Sequence, residues 1–183
     1  MTNNYDIITD AALMEQSASG DQEAFTEIVR RYQNFLLNYF VYMGANKNIG
    51  EDLTQNTFIR LYKYRKRYRP TAGFKTFLLT LARNTRIDWL RKKRRTREKE
   101  VELFEASGVR TNSRSRQTED SIDIREALAQ ISEKLRDVVV LNVYEGLNYR
   151  EVAETLGIPE GTVKSRMHMA VMKLREIMDE NAE

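Results

Sequence analysis

Residues 148–174 read NYREVAETLGIPEGTVKSRMHMAVMKL, and this stretch decides the fold of the C-terminal part of the chain. Asn148 with Glu151 three residues later is the pairing that opens a helix, each side chain satisfying a backbone N–H that the first turn leaves unpaired. Gly157 stands where a helix-ending glycine belongs, and Pro159 forbids simple continuation. A last helix then runs from about Glu160 to Met178, with Val163, Met167, Ala170 and Leu174 recurring at helical spacing toward the first helix and the core. A short helix, a tight turn and a longer helix make a helix-turn-helix. The opposite face carries Gly161, Ser165, His168 and Met172, flanked by Lys164 and Met169. Such a face suits a DNA major groove: Gly161 admits the backbone, Ser165 and His168 donate or accept, and Lys164 reaches phosphate or guanine. The bland alternative is a helical hairpin that merely packs.

Working upstream, Leu128, Ile131, Leu135, Val138, Val139 and Asn142 trace helical faces over two helices broken near Ser132. Residues 98–120 lose this periodicity and gather Ser, Thr, Asn, Gly, Glu and Arg, the composition of a linker. The chain therefore divides into residues 1–97, a linker over 98–120, and residues 121–183. In the first part, Thr9 and Asp10 are capping candidates for a short helix ending near Gly20. Phe25, Ile28, Val29, Tyr32, Leu36, Tyr39 and Met43 keep a 3.6-residue period from Asp21 to Gly44. Asn48 with Glu51 predicts the start of a third helix to about Arg67, with Leu53, Thr57, Leu61 and Tyr64 on its apolar line. Pro70 and Gly73 predict a loop over Arg67 to Gly73. A fourth helix follows, with Phe74, Leu78, Leu81, Thr85 and Trp89 on one side and the Arg91 to Arg95 run at its end. No segment alternates with period two over strand length. The predicted class is all-α, two small helical domains joined by a flexible linker.

The 183 residues are 41% hydrophobic and 31% charged, with two prolines, eight glycines and no cysteine. Disulfides and thiolate metal sites are excluded. His168 is the only histidine, has no second ligand fixed by spacing, and lies on an exposed face. No catalytic group, metal site or cofactor motif emerges. No apolar run approaches the ~20 residues that cross a bilayer, and the N-terminus lacks the layout of a signal peptide. A cytoplasmic protein without membrane insertion is the expectation.

The net charge of +3 conceals its distribution. Residues 60–99 hold sixteen basic and two acidic side chains, whereas the stretches before and after are net acidic. A basic run is ordinarily a solvated helix face. Here Tyr62, Tyr64, Tyr68, Phe74, Phe77 and Trp89 are interleaved with the cations, which favours nucleic acid, some rings being free to stack on unpaired bases while others form core.

These residues resemble the extracytoplasmic-function sigma factors, the compact two-domain group of the sigma-70 superfamily of bacterial transcription initiation. The resemblance spans nearly the whole chain. EDLTQNTFIRL, residues 51–61, is similar to the segment that family docks on the coiled coil of the polymerase β′ subunit. It implies that Asp52, Leu53, Gln55, Asn56 and Phe58 meet the core enzyme, a polar stripe beside an exposed Phe58 fitting a partner that offers cations and an apolar pocket. FKTFLLTLARNTRIDWLRKKRR, residues 74–95, resembles the helix that engages the melted upstream promoter element, and the loop before it the one that captures a flipped base. The implied single-strand contacts are Arg67, Tyr68, Arg69, Lys75, Asn84, Arg86, Asp88, Arg91, Arg94 and Arg95. Tyr149 to Leu174 resembles the domain that reads the distal element as duplex, implying contacts from Gly161, Thr162, Lys164, Ser165, Arg166, His168 and Met169.

The resemblance implies a non-enzymatic promoter-specificity subunit that binds the β and β′ subunits of core RNA polymerase and promoter DNA, acts in stress responses, and is held by an anti-sigma factor. Two departures stand out. Asn56 replaces a frequent glutamate, and Met169 and Val171 stand where arginines are frequent, leaving distal-element affinity to Lys164, Arg166 and Lys173. One rival is a duplex-binding regulator that never enters polymerase, which leaves the basic segment unexplained. Another is a recombinase or nuclease using Glu51 and Asp52 for magnesium, although adjacent helical residues point about 100° apart.

Overall fold

A computed structural model describes residue 5 and residues 7–70, 73–105 and 124–180. The elements are α1 (Asp10–Ala18), α2 (Gln22–Tyr42), α3 (Lys47–Tyr64), a 3-10 turn (Arg65–Arg67), α4 (Phe74–Glu105), α5 (Ile124–Gln130), α6 (Glu133–Val139), a π-helical turn (Val140–Tyr144), α7 (Tyr149–Leu156) and α8 (Glu160–Glu180). Among the described residues there is no strand. The chain is all-α, as its periodicity predicts.

Most helix starts follow from their caps. Thr9 accepts from the Ala12 N–H and Asp21 from the Ala24 N–H, each satisfying a donor of the first turn. The third helix begins two residues earlier than predicted. Asn46, in an extended conformation, accepts from the Ile49 N–H at 2.9 Å, so the Asn48–Glu51 pairing is not the cap. The connection from α2 is that short because Gly44 takes a φ of +89°, open to glycine, and turns the chain at once. In α7 the box is complete: Asn148 accepts from the Glu151 N–H at 3.0 Å and Glu151 accepts from the Asn148 N–H at 2.8 Å.

The first half packs α1, α2, α3 and α4 around Leu13, Met14, Ile28, Leu36, Phe40, Leu53, Leu61, Leu78 and Leu79, all buried. Each fully buried aliphatic side chain contributes about 1.5–3 kcal/mol relative to exposure. Gly50 lets α3 lie close on α2, because a Cβ there would sit 3.0 Å from Leu37 Cδ1. The second half packs α5, α6 and α7 on α8 through Leu128, Leu135, Val138, Val152, Val163, Met167 and Ala170. Helix α4 continues to Glu105, past the predicted end of the first domain, helped by the Arg94–Glu98 pair at 2.7 Å one turn apart. The remainder of the predicted linker lies outside the described residues.

The two halves dock on each other. Tyr42 and Tyr144 stack at 4.1 Å between centroids. Lys75 donates to the Glu145 carbonyl at 2.7 Å, Arg83 lies 3.8 Å from Asp137, and Arg136 donates to the Met43 carbonyl at 3.3 Å. Burial at this junction raises the Asp137 carboxyl above its ordinary range and pushes Glu145 up to about 7, with Lys75 opposing the latter.

A charged network fastens α1 to α2. Glu27, its side chain 1% exposed, accepts from Arg30 at 2.7 Å and from Arg31 at 2.8 Å. Arg31 also donates to Asp10 and to the carbonyls of Ile8 and Tyr5. Hydrogen bonds from Arg30 and then Arg31 outweigh burial and hold the Glu27 carboxyl down at about 2. A pKa below the unfolded value stabilises the fold above the unfolded pKa, and that contribution is lost as pH falls through the folded one. The stability gap between the wild-type chain and Glu27→Gln, read by urea unfolding, is therefore expected to be full at neutral pH and to close between pH 4.5 and about 2.

Candidate nucleic-acid interface

The basic segment is built on α4, whose faces do different work. Phe74, Leu78, Ala82 and Thr85 turn into the first half's core. Lys75, Arg83 and Arg86 turn toward the second half, where α6 and the π-helical turn offer Glu133, Asp137 and the Glu145 carbonyl. From Arg91 to Glu98 every residue is exposed. Within this end, Arg94 is paired with Glu98, Arg91 lies 3.8 Å from Asp88, and Lys93 sits 5.0 Å over the Trp89 ring. These are exposed, solvent-screened contacts that leave the cations available to an anion.

Several sequence-predicted contacts sit elsewhere than the interface. Arg86 is 8% exposed; its guanidinium donates to Glu133 at 2.5 Å and to the Met43 carbonyl at 3.1 Å, so in this arrangement it fastens the halves instead of facing a strand. Tyr68 is 8% exposed, edge-on to Phe74 and tilted on Phe77, and belongs to the core under the loop. Asp88 pairs with Arg60 of α3 at 2.7 Å. Asn84, Arg67, Arg69, Arg91, Arg94 and Arg95 are exposed as predicted, and Lys75 is exposed while reaching Glu145. The exposed rings here are Tyr62, which holds the Arg65 guanidinium 3.6 Å from its centroid, and Tyr64 beside Phe77.

On α3 the structure separates two kinds of residue. Asp52, Gln55 and Asn56 are exposed, but Leu53 and Phe58 are 2% and 7% exposed and pack inward. The prediction of an exposed Phe58 is corrected: the apolar residue on the polar stripe is Ile59, 47% exposed and seven residues beyond Asp52. A cleft of about 420 Å³ beside the stripe is lined by Gln33, Asn34, Leu37, Glu51, Gln55 and Phe58.

In the helix-turn-helix, Gly157 ends α7 at φ +65°, and α8 buries Val163, Met167 and Ala170. Gly161, Lys164, Ser165, His168 and Met169 are exposed together, with Thr162 and Arg166 half-buried at the edges. Lys164 pairs with Glu160 at 3.1 Å, and the Ser165 hydroxyl donates to the Thr162 carbonyl at 3.1 Å. No added Cβ at Gly161 would meet a neighbour, so its role is not one of internal packing. Among the described residues no three His, Asp or Glu groups converge as metal ligands, and no helix is long and apolar enough to cross a membrane.

Residues 28–96 match the family model of sigma-70 region 2, and residues 121–174 that of sigma-70 region 4. The chain is 31% identical over 172 residues to RNA polymerase sigma factor CarQ of Myxococcus xanthus, covering 91% of this chain and 96% of that one. The chain belongs to the extracytoplasmic-function sigma factors. Other relatives are the ECF RNA polymerase sigma factor SigW of Bacillus subtilis, 31% identical over 89% of this chain and 93% of its own. The SigE counterpart of Mycolicibacterium smegmatis is 32% identical over 88% of this chain, which spans 65% of that relative's length. A solved structure of CnrH in complex with the cytosolic domain of CnrY has a TM-score of 0.71 and 25% identity, covering 93% and 97% of the two chains. The sigma factor RpoE in complex with the anti-sigma factor NepR from Bartonella quintana, 24% identical with a TM-score of 0.68 over 85% and 96%, shares the fold.

The exposed face of this sigma factor thus gains Ile59, which the sequence pattern carried in its i+3, i+4, i+7 spacing from Asp52, and loses Leu53, Phe58, Tyr68 and Arg86 to packing. Replacing Arg86 by alanine takes the guanidinium donor from Glu133 and leaves the Met43 carbonyl with Arg136 alone. The expected cost is about 1–3 kcal/mol in urea unfolding, against no measurable change for Asn84→Ala. Unchanged stability in Arg86→Ala would return that guanidinium to the strand-binding surface.

Proposed function

We propose that the chain is the promoter-specificity subunit of a bacterial RNA polymerase, with residues 1–97 binding the core enzyme and opening the upstream element, and residues 121–183 reading the distal element as duplex. The observation that carries this is the presence, in one chain, of an exposed cationic α4 end and an exposed helix-turn-helix face on separate halves. The α3 stripe of Asp52, Gln55, Asn56 and Ile59 docks on the polymerase β′ coiled coil. Arg67, Arg69, Asn84, Arg91, Arg94 and Arg95 hold the separated strand, with Tyr64 as a stacking platform. Each unstacked base costs a few kcal/mol, which phosphate contact and base–aromatic stacking offset. Gly161, Thr162, Lys164, Ser165, Arg166, His168 and Met169 meet the major groove. The subunit contributes no catalytic group, works in the cytoplasm, and is held inactive by an anti-sigma protein until a stress signal arrives.

Run-off transcription with purified core polymerase over a genomic fragment library tests this reading. Start sites appearing only when the protein is added are expected, and silence from a folded sample overturns it. Replacing Arg91 to Arg95 with alanine is expected to weaken promoter complexes and to flatten their salt dependence by about 0.7 in log–log slope for each cation touching a single-strand phosphate. Equal slopes would remove that run from the interface. At the polymerase surface, Ile59→Ala is expected to lower core affinity about fivefold with stability intact, whereas Phe58→Ala unfolds the first half at a cost of about 3–5 kcal/mol.

A further inference from the structure

The outward face of α8 is unusually apolar for a surface that meets DNA. At about 100° per residue, His168, Met172, Ser165 and Met169 fall within roughly 100° of arc and about 10 Å of helix axis. Met169 and Met172 are 52% and 51% exposed, whereas Met14, Met43 and Met167 are in the core. The polar groups of this face, Lys164 in an exposed pair with Glu160 and the Ser165 hydroxyl on the Thr162 carbonyl, lie toward its N-terminus. The arc continues the groove-facing side of the helix-turn-helix, and exposed Glu176, one turn beyond Met172, bounds it.

We infer that Met169 is a specificity-determining residue that reads a thymine of the distal promoter element through its C5-methyl group, with Met172 shielding the contact from water. In the major groove each base edge presents hydrogen-bonding atoms, and thymine alone among the four standard bases adds an apolar group. A thioether is a weak hydrogen-bond acceptor and no donor, so it gains little from the other edges. Its unbranched, flexible stem follows the groove floor, where a β-branched side chain is stiff. Half-exposed methionines that cost hydrophobic hydration in the free protein are covered when the methyl group is met.

This inference rests on the duplex-reading role proposed for residues 121–183, and the experiment separates the two. Full-length protein with core polymerase selects a distal element from a randomised duplex library, and each selected thymine is then replaced singly by deoxyuridine, which lacks only the methyl group. At one position the substitution is expected to weaken binding about three- to fourfold. That penalty disappears in Met169→Ala and persists in Met178→Ala, which alters an exposed methionine on the other side of α8. A selected element with no methyl-sensitive thymine, or a penalty unchanged in Met169→Ala, overturns the inference alone and turns the methionines over to a protein partner. If no duplex element is selected, the duplex-reading role falls and the inference with it.

Discussion

Burial of one side of α4 is the constraint on which the molecule is built. Phe74, Leu78, Leu79, Ala82 and Thr85 close the core of the first half, and this fixes where every other residue of the helix must point. Lys75, Arg83 and Arg86 are left facing the second half, and the Arg91 to Glu98 end is left in water. The cations of α4, part of what looks like one patch in the sequence, are thereby sorted by helix phase. Lys75, Arg83 and Arg86 meet carbonyls and carboxylates of the protein, and those from Arg91 to Arg97 lie open to a polyanion.

The acidic side of the second half is placed accordingly. Glu133 and Asp137 lie on α6 and Glu145 just past the π-helical turn, opposite the inward-turned cations of α4. Removing carboxylates from water raises their pKa unless a cation compensates, and the upward shifts of Asp137 and Glu145 show that compensation here is incomplete. By contrast Glu27, with two guanidinium groups on its oxygens, is shifted down. The attachment of α1 and the seam between the halves differ in this local pairing.

Much of this was legible in the chain. The caps at Thr9 and Asn148, the glycine at 157 and the 3.6-residue apolar lines are local features, and local features survive folding. Phe58 was misread because it neighbours the polar stripe in sequence, whereas Ile59 neighbours it in space at seven residues from Asp52. Tyr68 and Arg86 were misread for a different reason. A guanidinium in a basic stretch carries no local sign of the partner it will meet, and the Arg86 partners Met43 and Glu133 lie more than forty residues away, whereas Tyr68 folds back on Phe74 and Phe77 just across the loop. Asn46 and Asn48 offer the same capping group, and only the turn made by Gly44 decides between them.

The angle between α7 and α8 is set by a short stretch of chain. The reciprocal Asn148–Glu151 bonds, the left-handed Gly157 and the Val152, Val163 and Met167 contacts all arise within residues 148–167. Helix α7 also packs on α4, so the element that opens the turn is the one that leans on the first half. A shift of α4 is therefore passed to the groove-reading helix through one short rod and the turn that follows it.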